Sequence, residues 1–381
     1  MPKTLLPHPT ERSVPYLLID GLNNGASLHT EDTDLPMITP EDTVVVADGS
    51  RSGLPMRGVS GALGSTLLRY RAKEGFDGDY LYYLLESLYP FTNTATIGGA
   101  VPHLDKRLLS QLVLKTPGQA ERTIIGAVLR AVDEMLSATN AELLAAQRLK
   151  TALMQQLFTK GIPGRHKDFT QIKRGIMPAS WQITTISRVA DVSSGVTLNQ
   201  DRSPRSNGYR YLTVVNVQRD YIDLTEERYL ELWPSEVPSR LLEKGDILVV
   251  EGHANSSEIG RAAMVDEKTK GMTFQNHLFR VRVNTDELIP AFLLYSLNCE
   301  RVRRHWNAIC NTSSGLNTIN RRQLRRLEIP KPPHSEQEEI VSLIEASKAT
   351  VKNCEGKLRS LEKLKKSLLQ NLLTGKVRVN M

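Results

Sequence analysis

The amino-acid sequence predicts an α+β fold in which two mixed α/β globular domains are separated by two long antiparallel coiled-coil helices, with a pseudo-two-fold internal repeat. Three observations support this prediction: a gapless internal repeat, a 3.5-residue apolar period in both of its copies, and fainter similarity between the remaining segments. The length of 381 residues, with 40% hydrophobic and 24% charged residues, is typical of a globular chain with more than one domain.

The repeat aligns residues 101–159 with residues 316–374 at a constant offset of 215. Glu121 and Glu336 are one pair of identical residues, and Lys150 and Lys365 are another. Each copy begins with a strand-like apolar segment, Leu112–Leu114 or Leu327–Ile329, which is followed by a proline and a long helical pattern. The repeat therefore predicts two equivalent strand–turn–helix segments.

Apolar residues in both helical patterns recur at alternating intervals of four and three, which is the seam of a coiled coil. Each helix is predicted to run about 40 residues, to carry a seam lysine that fixes register, and to end near Gly161 or Gly375. Ser335 and Glu338 form a predicted capping box for the second helix. The alternative is two ordinary amphipathic helices that each pack on their own domain. The predicted seam residues are Ile125, Leu129, Val132, Leu136, Leu153, Leu157, Ile340, Ile344, Val351, Leu358, Leu361, Leu368 and Leu372.

These boundaries divide the chain into a first globular domain at 1–116, a helix at 117–163, a second globular domain at 164–332 and a helix at 333–381. The globular domains resemble each other at offsets that drift from 195 at Tyr16 through 203 at Thr43 to 211 at Leu67. Residues 181–209 have no counterpart before Tyr16. We therefore expect either a shortened first domain or a chain that begins inside an ancestral domain.

Motifs for catalysis on nucleotides or nucleic acids are missing from the sequence. It contains no GxxxxGK[ST] loop, no GxGxxG after a strand and no HExxH. The three cysteines are expected to be reduced thiols, and no membrane span or secretory signal is recognisable, so we expect a cytoplasmic protein. A metal-dependent nuclease site could start from Asp246 and Glu251, with Asp42 and Asp48 as the equivalent pair in the first half. Neither pair is followed by the x-Lys that would complete such a site, and we expect instead that these acids flank a buried strand. No metal and no cofactor is predicted for this chain.

Arginines and polar loops indicate a nucleic-acid partner. The net charge of +7 and the pI near 9.2 give only a weak indication, but arginine is concentrated in the globular regions. Guanidinium groups suit bidentate contacts with phosphate and guanine, and Asn, Gln and Ser side chains suit base edges and phosphates. For any single arginine, the alternative is an ordinary solvated surface charge. The candidate DNA-binding residues are Ser50, Arg51, Ser52, Arg57, Arg202, Arg205, Arg219, His253, Asn255, Gln275, Asn276, His277, Ser314, Asn317, Arg321 and Arg322.

Two divergent domains with closely similar long helices resemble the DNA-specificity (S) subunit of a type I restriction-modification system. The resemblance covers essentially the whole chain and is most specific at 327–340, at 365–377 and in the earlier copy at 150–161. Met177-Pro-Ala-Ser-Trp-Gln, followed by Gly195-Val-Thr, also resembles the opening of a target recognition domain.

The resemblance implies two target recognition domains, each reading one half of a bipartite site in double-stranded DNA, and helices that set the spacing of the half-sites. It also implies two modification (methyltransferase) subunits as partners, which carry S-adenosylmethionine and methylate adenine N6. Restriction (motor-nuclease) subunits are a further class of partner, and this chain itself is non-catalytic. The rival functions are a metal-dependent DNA nuclease at Asp246 and Glu251, and a coiled-coil adaptor without sequence-specific DNA binding.

Overall fold

The alternation of short β-branched runs with two long helical patterns produces two units, each of which combines a globular region with part of both long helices. The structure is a computed structural model that describes residues 2–19, 28–98, 101–173, 175–203, 208–313 and 316–379. The first unit contains Met1–Leu143 and Asn353–Met381, and the second contains Leu144–Lys352. The predicted residues Arg205 and Ser314 lie outside the described residues.

Among the residues that the structure describes, the first half of the chain forms short strands and three helices. Its strands are β1 (Val14–Leu17), β2 (His29–Thr30), β3 (Met37–Ile38), β4 (Thr43–Val46), β5 (Pro55–Met56), β6 (Gly61–Leu63), β7 (Leu67–Tyr70), β8 (Thr96–Ile97) and β9 (His103–Leu104). Its helices are α1 (Gly78–Thr94), α2 (Lys106–Gln111) and α3 (Gln119–Lys160).

The second half contains more strands. They are β10 (Phe169–Ile172), β11 (Gly175–Pro178), β12 (Gln182–Thr185), β13 (Ala190–Ser194), β14 (Tyr209–Leu212), β15 (Tyr229–Leu230), β16 (Ile247–Val250), β17 (Gly252–His253), β18 (Ala262–Met264), β19 (Thr273–Phe274), β20 (Leu278–Val283), β21 (Asn311–Ser313), β22 (Leu316–Thr318) and β23 (Glu328–Lys331). The helices are α4 (Ile186–Val189), α5 (Val237–Arg240), α6 (Pro290–Asn298), α7 (Glu300–Ile309), α8 (Arg321–Arg325) and α9 (His334–Leu372).

The sheets of the two units share a common topology. In the first unit, β1 pairs antiparallel with β2 and parallel with β6, as β14 pairs with β15 and β19 in the second. Likewise β4 lies between β5 and β7, as β16 lies between β18 and β20. The second unit adds a two-stranded sheet of β12 and β23, and adds β13 beside β20.

A bidentate ion pair fixes the equivalent strand pair in each unit. Arg71 binds both carboxylate oxygens of buried Asp42 at 2.6 and 2.7 Å, and Arg282 binds buried Asp246 at the same two distances. Asp42 therefore corresponds to Asp246 at an offset of 204. The sequence alignment of Thr43 with Asp246 at an offset of 203 was wrong by one residue, because drifting loop lengths leave short strands without a unique register.

The long helices α3 and α9 pack against each other within each unit. In the first unit, Ile125 and Leu129 share an apolar cluster with Leu372, and Glu142 pairs with Lys357, which defines an antiparallel pair. In the second unit, Leu157 shares a cluster with Ile340 and Ile344. All of the predicted seam residues are buried or half-buried. Both clusters also contain side chains of the short helices, α1 in the first unit and α6 in the second. Within each unit, the long helices therefore pack against each other along the predicted seam and also pack on the globular region, so that both interpretations apply.

Two local predictions for the repeat were wrong. Helix α9 begins at His334, so Ser335 lies in its first turn and is not the cap. Residues 112–114 form no strand, whereas Glu328–Lys331 in the second copy do. A strand needs a hydrogen-bonded neighbour, and only the second copy has one, β12.

Candidate nucleic-acid interface

The second unit gathers polar side chains at one edge of its central sheet. Strand β16 ends at Val250 opposite Leu278, the first residue of β20. Glu251 and His277 extend this pairing, since the Glu251 amide donates to the His277 carbonyl at 3.0 Å. His277 Nδ1 lies 3.4 Å from Glu251 Oε2, and the imidazole is about half exposed. The sheet edge therefore presents an imidazole beside a carboxylate.

The three-stranded sheet of β17, β22 and β21 adjoins this edge. His253 is paired with Asn317, whose side-chain amide donates to the carbonyl of Ala254 at 2.9 Å. The Asn255 side chain accepts from the amide of Ser257, and the Asn255 amide donates to His253 Nδ1. The structure thus brings together four of the predicted site residues. These four are His253, Asn255, His277 and Asn317, and Glu251 lies beside them.

Gln275 and Asn276 occupy the turn that leads into His277. The turn is held by its backbone, because the Gln275 amide donates to Leu212 and the Asn276 amide donates to Val196. Both side chains are half-buried, and neither makes a side-chain hydrogen bond to any residue that the structure describes. The two carboxamides therefore keep their donors and acceptors available for a ligand.

The first unit builds the equivalent edge from different residues. The Leu104 amide donates to Ala47 at 2.8 Å, as the Ile319 amide donates to Glu251 at 2.9 Å. His103 Nδ1 lies 2.8 Å from Asp48 Oδ1 at this edge. Neither residue was among the predicted site residues. Residue 103 corresponds to Thr318 in the repeat, so its position beside the predicted Asn317 was the signal that could have found it.

The predicted loop from Ser50 to Ser52 follows Asp48 in the first unit. Ser50 is exposed and Arg51 is half-buried. Ser52 is fully buried, and its hydroxyl donates to the carbonyl of Ala47 at 2.6 Å. Asn93 donates to the carbonyls of Ser50 and Ser52 at 3.0 Å. Ser52 is therefore a correction to the predicted set, because its hydroxyl shapes the loop and does not face solvent.

Three predicted DNA-binding arginines are bound to the protein itself. Arg57 forms an ion pair with Asp79. Arg202 makes two 2.9 Å contacts with Glu236 and lies over the ring of Trp233.

Arg219 is the third of them. It donates to the Ser257 carbonyl and the Asn298 side chain, and burial lowers the pKa of its guanidinium. Arg57, Arg202 and Arg219 are thus held by contacts within the protein, and their role in DNA binding stays a prediction.

The arginines of α8 are arranged differently. Arg321, Arg322, Arg325 and Arg326 are all exposed, and none forms an ion pair with a residue in the described ranges. Asn320 begins the helix with a capping box, in which its side chain accepts from the Gln323 amide. This short helix and the residue that follows it thus present four cationic side chains to solvent, an arrangement that suits phosphate contacts.

The carboxylates proposed for the rival nuclease do not form a metal site. Asp246 is buried and saturated by Arg282, and the same pair in the first unit holds the pKa of Asp42 at about 2. The Arg71 hydrogen bond is the main cause of that lowered pKa. Among the residues that the structure describes, no three His, Cys, Asp or Glu side chains are grouped so as to hold a metal ion. None of the described helices is long and apolar enough to cross a bilayer.

Comparisons with known proteins agree on one family. The family model for the type I restriction modification DNA specificity domain matches residues 178–363. The type I restriction enzyme MjaVIII specificity subunit of Methanocaldococcus jannaschii is 26% identical, over 99% of this chain and 89% of that protein. The StySPI specificity subunit of Salmonella potsdam is 23% identical, over 88% of this chain and 74% of that protein.

Solved structures give the same fold. The type I restriction-modification S subunit from M. genitalium superposes with a TM-score of 0.58 at 13% identity, covering 99% of this chain and 91% of that one. A chain from a structure of type I restriction-modification complex assembly gives a TM-score of 0.55 at 16% identity, covering 97% and 85%. At these identities the similarity shows a shared fold, including both sheet-rich regions and the long helices.

Proposed function

Because the chain belongs to the type I restriction-modification specificity-subunit family, we propose that it is the non-catalytic DNA-recognition subunit of such a complex. Each unit reads one half of a bipartite target through the edge of its central sheet. The observation that carries this proposal is the repeated edge, where Leu104 and Ile319 hold equivalent loops in place with equivalent hydrogen bonds. The same scaffold thus presents two different sets of polar side chains.

The chemistry of the second edge suits direct readout of bases. A carboxamide can bind adenine N6 and N7 together, and the unbonded side chains of Gln275 and Asn276 have the required donor and acceptor. Glu251 and His277 supply an acceptor and a ring nitrogen for base edges. The exposed arginines of α8 provide sequence-independent affinity through phosphates.

The catalytic work belongs to partner proteins in this proposal. Two modification subunits bind S-adenosylmethionine and methylate adenine N6 where this chain positions them, in the cytoplasm. Restriction subunits join the complex where DNA is cleaved as well as methylated. The chain itself holds no cofactor and no metal. The relative described in a structure of type I complex assembly supports a multi-subunit context for the fold.

Mapping methylated sites tests this function. The chain is co-expressed with its modification subunits, and methylated adenines are mapped for the native chain and for Gln275→Ala. Loss of one bidentate contact removes about 1–3 kcal/mol of base discrimination, so we expect one position in one half-site to be relaxed. Gln171→Ala is the matched control, since Gln171 is an exposed glutamine on β10 of the same unit, and it leaves the motif unchanged.

Exchange of residues 170–325 for those of a relative tests the assignment of one unit to one half-site. We expect one half-site to change and the other to stay the same. A change in both half-sites would refute the assignment. Methylation without any sequence preference would favour the adaptor function, and metal-dependent nicking by the chain alone would favour the nuclease.

A further inference from the structure

The second unit contains a cavity of about 780 Å³ between the end of helix α3, the strand pair β10–β11 and helix α7. This volume lies within the range of roughly 300–1,000 Å³ that accommodates small organic ligands. None of the candidate DNA-binding residues that the structure describes lines the cavity. The cavity is therefore a different surface from the sheet edge that we assign to DNA.

The floor of the cavity is apolar. Phe158 of α3 is 1% exposed, and its ring centroid lies 5.4 Å from that of Phe292, so that it is fixed in the core of the second unit. Half-buried Met154 and Ile176 extend this surface from α3 and β11, and Ile309 extends it from α7. The floor can therefore cover the apolar body of a ligand and remove it from water.

Cationic side chains surround the mouth of the cavity. Lys160 ends α3, Lys173 follows β10 and Arg304 lies on α7, and all three are exposed. Neither lysine forms an ion pair with a residue that the structure describes. The carboxylate of Glu300 lies 3.2 Å from Arg304 and 3.4 Å from Arg303, so its charge is shared by two guanidinium groups. The mouth therefore carries a net positive charge.

An unbonded carboxamide lies beside these cations. Gln155 is exposed near the end of α3, and its side chain makes no hydrogen bond to any residue in the described ranges. One turn later, the Thr159 hydroxyl donates to the main-chain carbonyl of Gln155 at 2.6 Å, which leaves its oxygen able to accept a hydrogen bond. A carboxamide offers a donor and an acceptor together, which matches the polar edge of a heterocyclic base.

We propose that this cavity binds a small nucleotide, whose base packs on the apolar floor and whose phosphates contact the cations at the mouth. Lys160, Lys173 and Arg304 supply charge-assisted contacts to phosphate, and Gln155 faces the edge of the base. An inorganic anion alone would leave the floor uncovered, and an uncharged aromatic compound would leave the cations without a counter-charge. Walls on three sides suit a compact ligand better than an extended acidic peptide.

The fluorescent nucleotide trinitrophenyl-ATP is the probe for this cavity in the full chain. We expect saturable binding and a rise in fluorescence, because the fluorophore enters an apolar environment. Lys160→Gln and Lys173→Gln should each weaken binding about three- to tenfold through loss of a charge-assisted contact. Lys270→Gln is the matched control, since Lys270 is an exposed lysine of the same unit that does not line the cavity, and it leaves the affinity unchanged.

Competition separates a nucleotide from its parts. AMP should displace the probe, whereas adenosine and inorganic phosphate should each do so about tenfold more weakly or worse, because each of them fits only one half of the cavity. Ala308→Trp places an indole in the cavity and should abolish binding while the far-UV circular dichroism spectrum stays unchanged. The lysine variants keep the test decisive if the larger side chain disturbs the fold.

Four outcomes would overturn the proposal. The first two are probe binding that both lysine substitutions leave unchanged, and equal displacement by AMP and inorganic phosphate. Displacement of the probe by double-stranded DNA would assign the lysines to the DNA surface. Loss of probe binding when the modification subunits assemble would assign the cavity to a partner polypeptide. The measurements on the isolated chain do not depend on sequence recognition, so their failure leaves the proposed function untouched.

Discussion

The seam lysine Lys365 gives the sharpest test of how the first unit is held on its helices. Its ammonium lies 2.7 Å from Glu86 Oε1 and 2.8 Å from Asp133 Oδ1. Tyr83 donates a hydrogen bond to the same Asp133 at 2.9 Å. Replacement of Lys365 by Met keeps the length and apolar stem of the side chain but leaves two half-buried carboxylates facing each other.

The size of the effect follows from burial. The side chains of Lys365, Glu86 and Asp133 are 16%, 27% and 29% exposed. Removing one partner of a fully buried pair costs about 3–5 kcal/mol, and partial exposure reduces this to about 2 kcal/mol. For a unit of this size the midpoint of thermal unfolding falls by about 4–8 °C.

The variant should also acquire a distinct pH dependence. Burial raises the pKa of Glu86, and Lys365 opposes that shift. Without the lysine, the pKa of Glu86 rises further, so the folded state binds a proton more tightly than the unfolded chain. Stability then falls as pH rises through that pKa. We expect Lys365→Met to be more destabilising at pH 8 than at pH 5.

The distribution of tryptophan separates the two units in the assay. All three tryptophans, at 181, 233 and 306, lie in the second unit. Fluorescence therefore reports unfolding of the second unit, while far-UV circular dichroism reports both. Lys365→Met should lower the midpoint temperature of a transition seen by circular dichroism and leave the midpoint temperature of the fluorescence transition unchanged.

Lys150→Met is the matched control, because Lys150 holds the equivalent position in the repeat. Its ammonium lies 3.5 Å from Asp220, which also accepts from Asn298 at 2.6 Å. Because the contact is longer and Asp220 keeps Asn298 as a second partner, we expect Lys150→Met to lower the free energy of unfolding by only about 1 kcal/mol. This decrease should appear in the fluorescence transition. Equal effects of both variants on fluorescence, or no effect of Lys365→Met on either signal, would refute the reasoning.

Three further predictions follow from individual contacts. Ser52→Ala should lower the free energy of unfolding by about 1 kcal/mol through loss of a buried hydrogen bond, while exposed Ser50→Ala should not; urea denaturation measures both. Arg321→Ala and Arg322→Ala should each reduce the salt dependence of DNA binding by the assembled complex by about one unit of slope. A changed methylation motif would contradict a phosphate role. The lowered pKa of Asp42, about 2, stabilises the folded state by about 2 kcal/mol above pH 4, and this stabilisation is lost as the pH falls toward 2. The free energy of unfolding of Asp42→Asn, measured against pH, should not show this loss.

The long helices could be predicted closely because their signal is local. A helical apolar period depends only on residues that are near each other in sequence. The predicted spans 117–163 and 333–381 contain α3 and α9, and three of the four predicted ends lie within three residues of the observed ones. The error at residues 112–114 has a different origin. The apolar pattern is present, but a strand depends on a neighbour that is remote in sequence, and only the second copy has it.

The candidate site was harder to predict because the partner of an arginine is not encoded beside it. Arg202 and Glu236 are 34 residues apart, and Arg219 reaches Asn298 over 79 residues. The sequence shows where arginine is concentrated, but only the fold shows which guanidinium groups are bound by other residues of the protein and which are not. Arg321 and Arg322 are exposed without an ion partner in the described chain, and their sequence context looks no different from that of Arg202.

The comparison of the two edges indicates how the repeat has diverged. In the pairs Asp42–Arg71 and Asp246–Arg282, a buried aspartate is bound by an arginine at the same distances in both units. At the edge positions that carry equivalent hydrogen bonds, Ala47 stands where the second unit has Glu251.

The other edge positions differ as well. Residues that neutralise buried charge cannot change singly without leaving a partner buried and unpaired, whereas exposed edge residues can change freely. If the edges read DNA, different side chains on the same scaffold require two half-sites of different sequence. Identical half-sites in the methylated motif would therefore place the base-reading residues away from these edges.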